Sequence, residues 1–267
     1  MTFLRLHMFD ESPHPLFKPL LGAESLRRLA WAVYYLDATI DGGNYGFTAI
    51  PDGSFTIPLP CDEHDFLRQT NVSTEHMLPS HMTNGLNPGS LGLAGHMLRA
   101  MYARQILAGL HSRIQRRLIS PASIPACIKQ AESESLHILG TLPHEMDYSR
   151  TNFHIFKGQQ TLFLHLHVLR NTCLRHNALL KILSASFAVV DDHEVALNRQ
   201  TLIREARQLS ALFAQGVDHN VVLDPQLAMH AYNGIEGELL CVHSSFDMDS
   251  KCVSGLQTEF QFSCISL

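Results

Sequence analysis

Charged residues are scarce in this chain. Asp, Glu, Lys and Arg make up 17% of its 267 residues, against about 25% in a typical globular protein. With so few charges to solvate its surface, the chain is expected to bury extensive area between helices or to be covered by a partner. The net charge of −5, with histidines neutral, also argues against binding of a polyanion by bulk electrostatics.

The cysteines lack the close spacing that a small zinc module needs, which is about two to four residues between paired ligands. The six cysteines are scattered at Cys61, Cys127, Cys173, Cys241, Cys252 and Cys264. The chain also lacks a secretory signal at its start and any apolar run near the ~18 residues of a membrane span. We therefore interpret the cysteines as reduced, buried intracellular thiols and expect no metal site and no membrane partner.

Hydrophobic residues recur with the period of an α-helix, and alternation with a period of two is scarce. A first helix is predicted over 24–40, with Trp31, Tyr34 and Tyr35 widening an apolar face that should lie deep in the core. That face consists of Leu29, Val33, Leu36 and Ile40. These patterns predict an all-α fold, an irregular multi-helix bundle.

Further helices are predicted over 90–118, 123–140, 161–183 and 191–213, with a weaker one after Asp224. The helix over 90–118 has an apolar face of Leu93, Met97, Met101, Leu107, Leu110, Ile114 and Leu118. That over 161–183 has Leu162, Leu166, Leu169, Cys173, Leu180 and Leu183, and that over 191–213 has Leu202, Ala206, Leu209 and Phe213.

Two regions lack this periodicity. Residues 42–90 are rich in Gly, Pro, Ser, Thr and Asn, which predicts a long extended loop after the first helix. After Leu240 the chain is rich in serine and shows no helical stripe. We expect a domain over 1–240 and an irregular tail over 241–267, which is either a truncated or misjoined gene product or a native flexible segment.

Two motifs follow one another near the start of the chain. The first comprises Glu24, Arg27, Arg28, Trp31, Tyr35, Leu36 and Asp37; the second reads Ile57-Pro58-Leu59-Pro60-Cys61-Asp62-Glu63. A later helix carries Leu164-His165-Leu166-His167 and Leu174-Arg175-His176. In this order and spacing they resemble the fungal-specific transcription factor regulatory domain, the middle homology region of zinc-cluster transcription factors. The resemblance covers about residues 4–185.

The resemblance implies a nuclear regulator of transcription by RNA polymerase II and no enzyme. DNA binding and zinc would belong to an N-terminal module that these 267 residues lack. Implied partners are a homodimer or a heterodimer with a related transcription factor, the transcription machinery and a small-molecule effector. No catalytic, metal or DNA-binding residue is assigned, and the effector pocket is left unknown. The signature residues are assigned structural roles: Arg27, Arg28, Trp31, Tyr35, Asp37, Pro58, Pro60, Cys61 and Asp62.

Simple chemistry suggests contacts for these residues. Arg27 lies four residues before Trp31, close enough on a helix for its guanidinium to stack on the indole. Asp37 is expected to pair with an arginine from another segment. The prolines Pro58 and Pro60, with the acidic run that follows them, predict an extended strap across the bundle.

Other groups of residues have simpler interpretations than chemistry. His165 and His167 are two apart and face opposite sides of a helix, which disfavours a shared metal. The acidic residues Asp191 and Glu194 are expected to cap a helix. The basic stretch over 111–117 is either the solvated end of a helix or a nuclear import signal.

Two alternatives to the regulatory interpretation stay open. A stand-alone helical small-molecule-binding protein or enzyme would place a large pocket beside Trp31, Tyr34, Tyr35 and Met97. A fragment that pairs with a full-length relative would co-purify with that relative.

Overall fold

Helices account for nearly all of the regular secondary structure in a computed structural model of the chain. The structure describes residues 19–39, 49–50, 56–78, 91–185, 187 and 192–222. Its seven α-helices in these ranges are α1 (Pro19–Thr39), α2 (Glu63–Arg68), α3 (Leu93–Gln115), α4 (Ile124–Leu139), α5 (Arg150–Ile155), α6 (Gln160–Ala185) and α7 (Asp192–Asp218). The described residues contain no strand, only an isolated bridge between Cys61 and Leu91. The all-α prediction is confirmed.

Helix α6 lies at the centre, where it packs against both α3 and α7, while α4 covers α3 and α6. Its first half is buried on every side, since residues 163–169 are all buried, as expected for a helix enclosed by its neighbours. Leu166, Leu169, Cys173 and Leu180 are buried as predicted, and so are Leu202, Ala206 and Leu209 on α7. None of the described helices combines the length and apolarity needed to cross a bilayer.

Local sequence signals set several helix boundaries. Pro125 lies in the first turn of α4, where its missing N–H leaves no hydrogen bond unmade. The Ser149 side chain caps α5 by accepting a hydrogen bond from the Asn152 backbone N–H at 3.0 Å. The sequence patterns missed this helix because six residues are too few to show a period.

The loop predicted over 42–90 is not extended throughout. After an irregular segment over 56–62, helix α2 begins at Glu63 because the Asp62 side chain accepts a hydrogen bond from the His64 N–H. It ends at Gln69, which has a left-handed backbone with φ of 57°. Residues 70–78 then continue without regular structure, while 42–48, 51–55 and 79–90 of the predicted loop lie outside the described residues. So do the weaker helix after Asp224, the tail after Leu240 and the proposed cap Asp191.

Only part of the apolar face predicted for α1 enters the core. Trp31 and Tyr34 are buried as predicted, together with Ala30 and Ala38. Leu29 and Leu36, by contrast, are 58% and 60% exposed, and Ile40 lies outside the described residues. The helix has two apolar faces, and the one with the large aromatic rings buries more area.

Leu118 is a second error of the same kind. Its spacing predicts a place on the apolar face of α3, but that helix ends at Gln115 and Leu118 is 67% exposed. The pattern of spacing continues past the point where the backbone leaves the helix.

The two faces of α1 can be distinguished by stability. We expect Trp31→Ala to lower the free energy of unfolding by about 3–5 kcal/mol, because it removes a buried indole and leaves a cavity. Leu29→Ala should change it by less than about 0.5 kcal/mol in dilute solution, since this side chain already contacts solvent. Urea unfolding of both variants measures this. A larger loss of unfolding free energy for Leu29→Ala than for Trp31→Ala would show that the face with Leu29, and not the face with Trp31, packs in the core.

Candidate functional site

The first motif is joined to the second through the carboxylate of Glu24. Glu24 is 7% exposed, and its Oε1 accepts hydrogen bonds from the Cys61 backbone N–H at 3.0 Å and from Arg28 Nε at 3.2 Å. Its other oxygen pairs with Arg27, one turn along the helix. A buried carboxylate needs such donors, because an unpaired charge away from water is costly.

Arg28 extends this contact to helix α2. Its guanidinium donates to Glu63 at 2.5 Å and to the Cys61 carbonyl at 3.2 Å, and it lies 4.0 Å from the centre of the Phe66 ring. Burial opposes the charge of this group, but the hydrogen bond and charge of Glu63 outweigh it and raise the pKa of Arg28. Arg28 is therefore held as a cation between two acids and an aromatic ring.

The cation–π contact corrects the sequence prediction. Arg27 was expected to stack on Trp31, but it pairs with Glu24, and Arg28 stacks on Phe66 instead. The pairing follows from the fold, since α2 brings a ring to Arg28 that the sequence places far from it.

Trp31 joins α1 to the same segment. Its Nε1–H donates to the Pro58 carbonyl at 2.8 Å, and its ring is 1% exposed. We call the contacts of Glu24, Arg28 and Trp31 with residues 58–63 the signature junction. It brings together five of the nine signature residues, namely Arg28, Trp31, Pro58, Cys61 and Asp62, the last as the cap of α2.

Prolines suit the buried segment because they carry no backbone N–H. Only two residues between Pro58 and Cys61 have an N–H to satisfy. Leu59 donates to the Glu75 carbonyl at 2.7 Å, and Cys61 donates to Glu24. The Leu59 carbonyl accepts from the Thr74 hydroxyl. Alternating prolines thus halve the number of donors that must find partners in a buried segment that belongs to no helix or strand.

A buried ion pair between Glu75 and Arg99 lies beside the signature junction, since the Glu75 carbonyl accepts the Leu59 N–H. Glu75 and Arg99 have side chains 5% and 3% exposed, and their charged atoms are 2.6 Å apart. Arg99 also donates to the His76 carbonyl at 2.9 Å, to the Met77 carbonyl at 3.3 Å and to the Thr141 hydroxyl at 3.3 Å. Breaking such a pair leaves an uncompensated buried charge, at a cost of about 3–5 kcal/mol.

The start of α3 also lies against the junction. A Cβ on Gly92 would stand 2.8 Å from the Asp62 Cα, closer than carbon atoms pack. Glycine is needed here because the two backbones approach each other, beside the bridge between Cys61 and Leu91.

Two signature residues, Tyr35 and Asp37, lie outside the junction. Tyr35 is beside His165 of α6, with 3.4 Å between its hydroxyl and the His165 Nε2. Asp37 does not take an arginine as predicted. It accepts from the backbone N–H groups of Ala49 and Ile50 at 2.9 and 3.0 Å. Asp37 thus binds the chain that follows α1 through two backbone N–H groups. These donors take the place of the arginine that the sequence analysis expected.

Four buried charged residues of the described part have no counterpart among the sequence predictions: Glu75, Arg99, Arg104 and Glu205. Arg104 donates to the Ala38 carbonyl near the end of α1 at 2.6 Å. The sequence does contain a sign of the two arginines. They interrupt the apolar stretch of α3, and an arginine in such a stretch either reaches solvent or needs buried acceptors.

Two of the described cysteines, Cys61 and Cys173, are buried and have raised pKa values. Burial, together with the charge of Glu24, raises the pKa of Cys61 to about 11, and burial raises that of Cys173 to about 12. Both are therefore thiols at neutral pH, and the thiolate is the nucleophile. Among the described residues, no group of three His, Cys, Asp or Glu side chains is placed to hold a metal ion.

Two of the histidines of α6, His165 and His167, are both buried, in different surroundings. His165 faces Tyr35, whereas His167 has its Nε2 3.0 Å from the Met146 carbonyl. Burial lowers the pKa of His167 to about 4, with a further contribution from the charge of Arg170. They are polar core residues rather than surface ones.

A small cavity lies between α3, α4 and α6. Its volume is about 10 Å³, and its lining includes His96, Arg99 and Arg170. That volume admits about one water molecule, whereas ligand pockets occupy roughly 300–1,000 Å³. The residues that a stand-alone binding protein would place beside a large pocket have other surroundings: Trp31 is bonded to Pro58, Tyr34 to Gln105 at 2.5 Å, and Met97 is buried in the core.

Comparison with known proteins identifies one family. The family model described as "Fungal specific transcription factor domain" matches residues 9–171, more than half of the chain. The match includes the signature junction and the Glu75–Arg99 pair, and it ends within α6. No curated protein and no solved structure matches the chain.

The buried histidines predict a loss of stability in mild acid. Burial lowers the pKa of His96 to about 3, helped by the charges of Arg99 and Arg170. The unfolded chain, with a histidine pKa of about 6.5, then binds more protons than the folded one. Stability therefore falls as pH drops below about 6.5 and continues to fall until the folded-state pKa is reached.

The variant His96→Leu removes one such histidine at similar volume. Between about pH 6.5 and 5, its unfolding free energy should depend less on pH, by up to about 1.4 kcal/mol per pH unit. Urea unfolding at several pH values measures the two slopes, and circular dichroism at about pH 8 checks that the variant folds. Equal slopes for a folded variant would mean that His96 titrates as it does in the unfolded chain.

Proposed function

This chain belongs to the fungal-specific transcription factor domain family, and we propose on that basis that it acts in the nucleus as a regulatory domain that modulates transcription by RNA polymerase II. The observation that carries the proposal is the family match across both motifs. In the structure these motifs meet at Glu24, whose carboxylate bonds to Arg28 and Cys61. A regulatory role rather than a catalytic one agrees with the protonated state of Cys61 and Cys173.

DNA contact and zinc binding, in this proposal, belong to a module outside these 267 residues or to a partner. The net charge of −5 does not favour binding to phosphates. The exposed cations Arg113, Arg116 and Arg117 lie together where α3 ends, and positive charge also suits that end of a helix dipole. The domain would therefore act on transcription after another module has located the gene.

The proposed partners are a second related chain and components of the transcription machinery. A small-molecule effector receives less support. The cavity beside His96 holds about one water, and the larger hollow of about 630 Å³ beside Lys129 and His137 of α4 is a shallow one, open to solvent. Contact with other proteins is supported by the exposed leucines of α1, of which Leu29 and Leu36 are more than half exposed.

Tethering to a promoter tests the proposal directly. The full chain is fused to an unrelated DNA-binding domain in a fungal host that carries a reporter gene with the matching operator. We expect the fusion to change reporter transcript levels several-fold relative to the DNA-binding domain alone, because the regulatory activity no longer needs its own DNA-binding module.

Two variants of the fusion serve as controls. Leu197→Ala alters a half-exposed residue of α7 and should keep the effect, whereas Trp31→Ala removes a core residue and should abolish it. Immunoblotting and microscopy establish that the wild-type fusion accumulates in the nucleus. Reporter levels equal to those of the DNA-binding domain alone, for a fusion that does accumulate there, would contradict the proposal.

A further inference from the structure

Helix α1 carries a second apolar face that the described part of the domain does not cover. Leu26, Leu29 and Leu36 are 46%, 58% and 60% exposed, and Val33 between them is partly exposed. A single exposed leucine needs no explanation, but a row of them along one helix marks an interaction surface. We call Leu26, Leu29, Val33 and Leu36 the outer seam.

The spacing of the outer seam is that of a coiled coil. Its members follow one another at intervals of three, four and three residues, which is the a/d pattern of a heptad repeat. Leu26 and Val33 occupy a positions, and Leu29 and Leu36 occupy d positions. Both d positions are leucine and one of the two a positions is the β-branched Val33, a combination that favours two strands over three or four.

The outer seam points away from the core. At about 100° per residue, its mean direction lies roughly 150° from that of the buried residues of α1. Those buried residues are Glu24, Ala30, Trp31, Tyr34 and Ala38. A second helix laid along the outer seam would therefore leave the signature junction intact.

The residues beside the outer seam suit the approach of an identical helix. Ser25 and Ala32, on one side of it, are small, uncharged and exposed. Small flanking residues let two helix backbones approach closely and bring no charge repulsion between copies. On the other side, the carboxylate of Asp37 already accepts hydrogen bonds from the backbone of Ala49 and Ile50.

We propose that α1 binds α1 of a second copy of this chain through the outer seam, as a two-stranded coiled coil. The surface is self-complementary, as a two-fold interface requires. The helix is already formed by its contacts with the domain, so association does not bear the cost of folding it. The outer seam is thus the surface for the self-association that the proposed function includes. The inference rests on the proposed function only for the biological role of the dimer.

The short outer seam limits the strength of the dimer. The next d position toward the start of α1 is Gly22, which has no side chain to contribute. About eleven residues of helix span ~16 Å, which buries less surface than the ~1,600 Å² of a standard stable interface. We therefore expect a dissociation constant of the order of 50 μM, so that the chain is a monomer when dilute and a dimer when concentrated.

Sedimentation equilibrium of the full chain over a range of concentrations tests this. The variant Leu29→Lys places a charge in the middle of the outer seam of both copies and should weaken the dimer at least about tenfold. Its helical neighbours Ser25, Leu26, Ala32 and Val33 carry no charge, so the monomer itself gains no repulsion. Circular dichroism and the melting temperature of the dilute protein should match the wild type.

The control is Leu197→Lys on α7. Leu197 is 54% exposed, close to the 58% of Leu29, and this variant should dimerise like the wild type. A wild-type chain that stays monomeric at about ten times the expected dissociation constant would overturn the proposal and leave the outer seam to a different protein. So would a dimer that Leu29→Lys does not weaken. The reporter assay does not enter this result, so failure of the dimer and failure of the regulatory role are distinguishable.

Discussion

The carboxylate of Glu24 is the contact on which the arrangement of the first half of the domain depends. It is buried on α1 and accepts hydrogen bonds from two arginines of its own helix and from the backbone of Cys61. One side chain thereby sets the position of a segment that has no regular secondary structure. Hydrophobic burial alone would bring the segment to α1 but would not fix which residue faces which.

From that point a line of polar contacts runs through the molecule. The segment that holds Cys61 is bonded at Leu59 to Thr74 and Glu75, and Glu75 is paired with Arg99 of α3. Arg99 reaches the Thr141 hydroxyl just after the end of α4. The chain has few charges, and it buries several of them where irregular segments meet helices. Irregular segments have unpaired backbone groups, and charged side chains with several donors or acceptors can satisfy them.

The spacing of apolar residues predicts most of the long helices. The long helices α3, α4, α6 and α7 were predicted to within about five residues at each end, because each is long enough for its apolar residues to recur with the helical period. Helix α1 was also predicted, but both of its apolar faces were expected in the core, whereas only the one with Trp31 and Tyr34 is buried. It has two apolar faces, and periodicity cannot say which one the domain covers. The short helices α2 and α5 carry too few residues for any period.

The candidate site, like the fold, could be predicted from the sequence only in part. The two motifs mark the residues that meet, but their partners depend on distances along the chain that no local pattern encodes. Arg28 and Phe66 are separated by the whole connection after α1, and Glu75 and Arg99 by residues that include the start of α3. Buried arginines within the apolar stretch of α3 were a usable sign of buried acceptors. Which acceptors they reach was visible only in the fold.

Amide hydrogen exchange of the variant Glu24→Ala would test most directly whether Glu24 holds the signature junction. Exchange at the Cys61 N–H should accelerate by at least about tenfold, because its acceptor is gone and the segment opens locally. Exchange at Leu169, in the centre of α6, should stay within about threefold of the wild type. Unchanged exchange at the Cys61 N–H would contradict this, because it would show that general burial holds the segment. Equal acceleration at Cys61 and Leu169 would also contradict it, because Glu24 would then stabilise the whole domain rather than this junction.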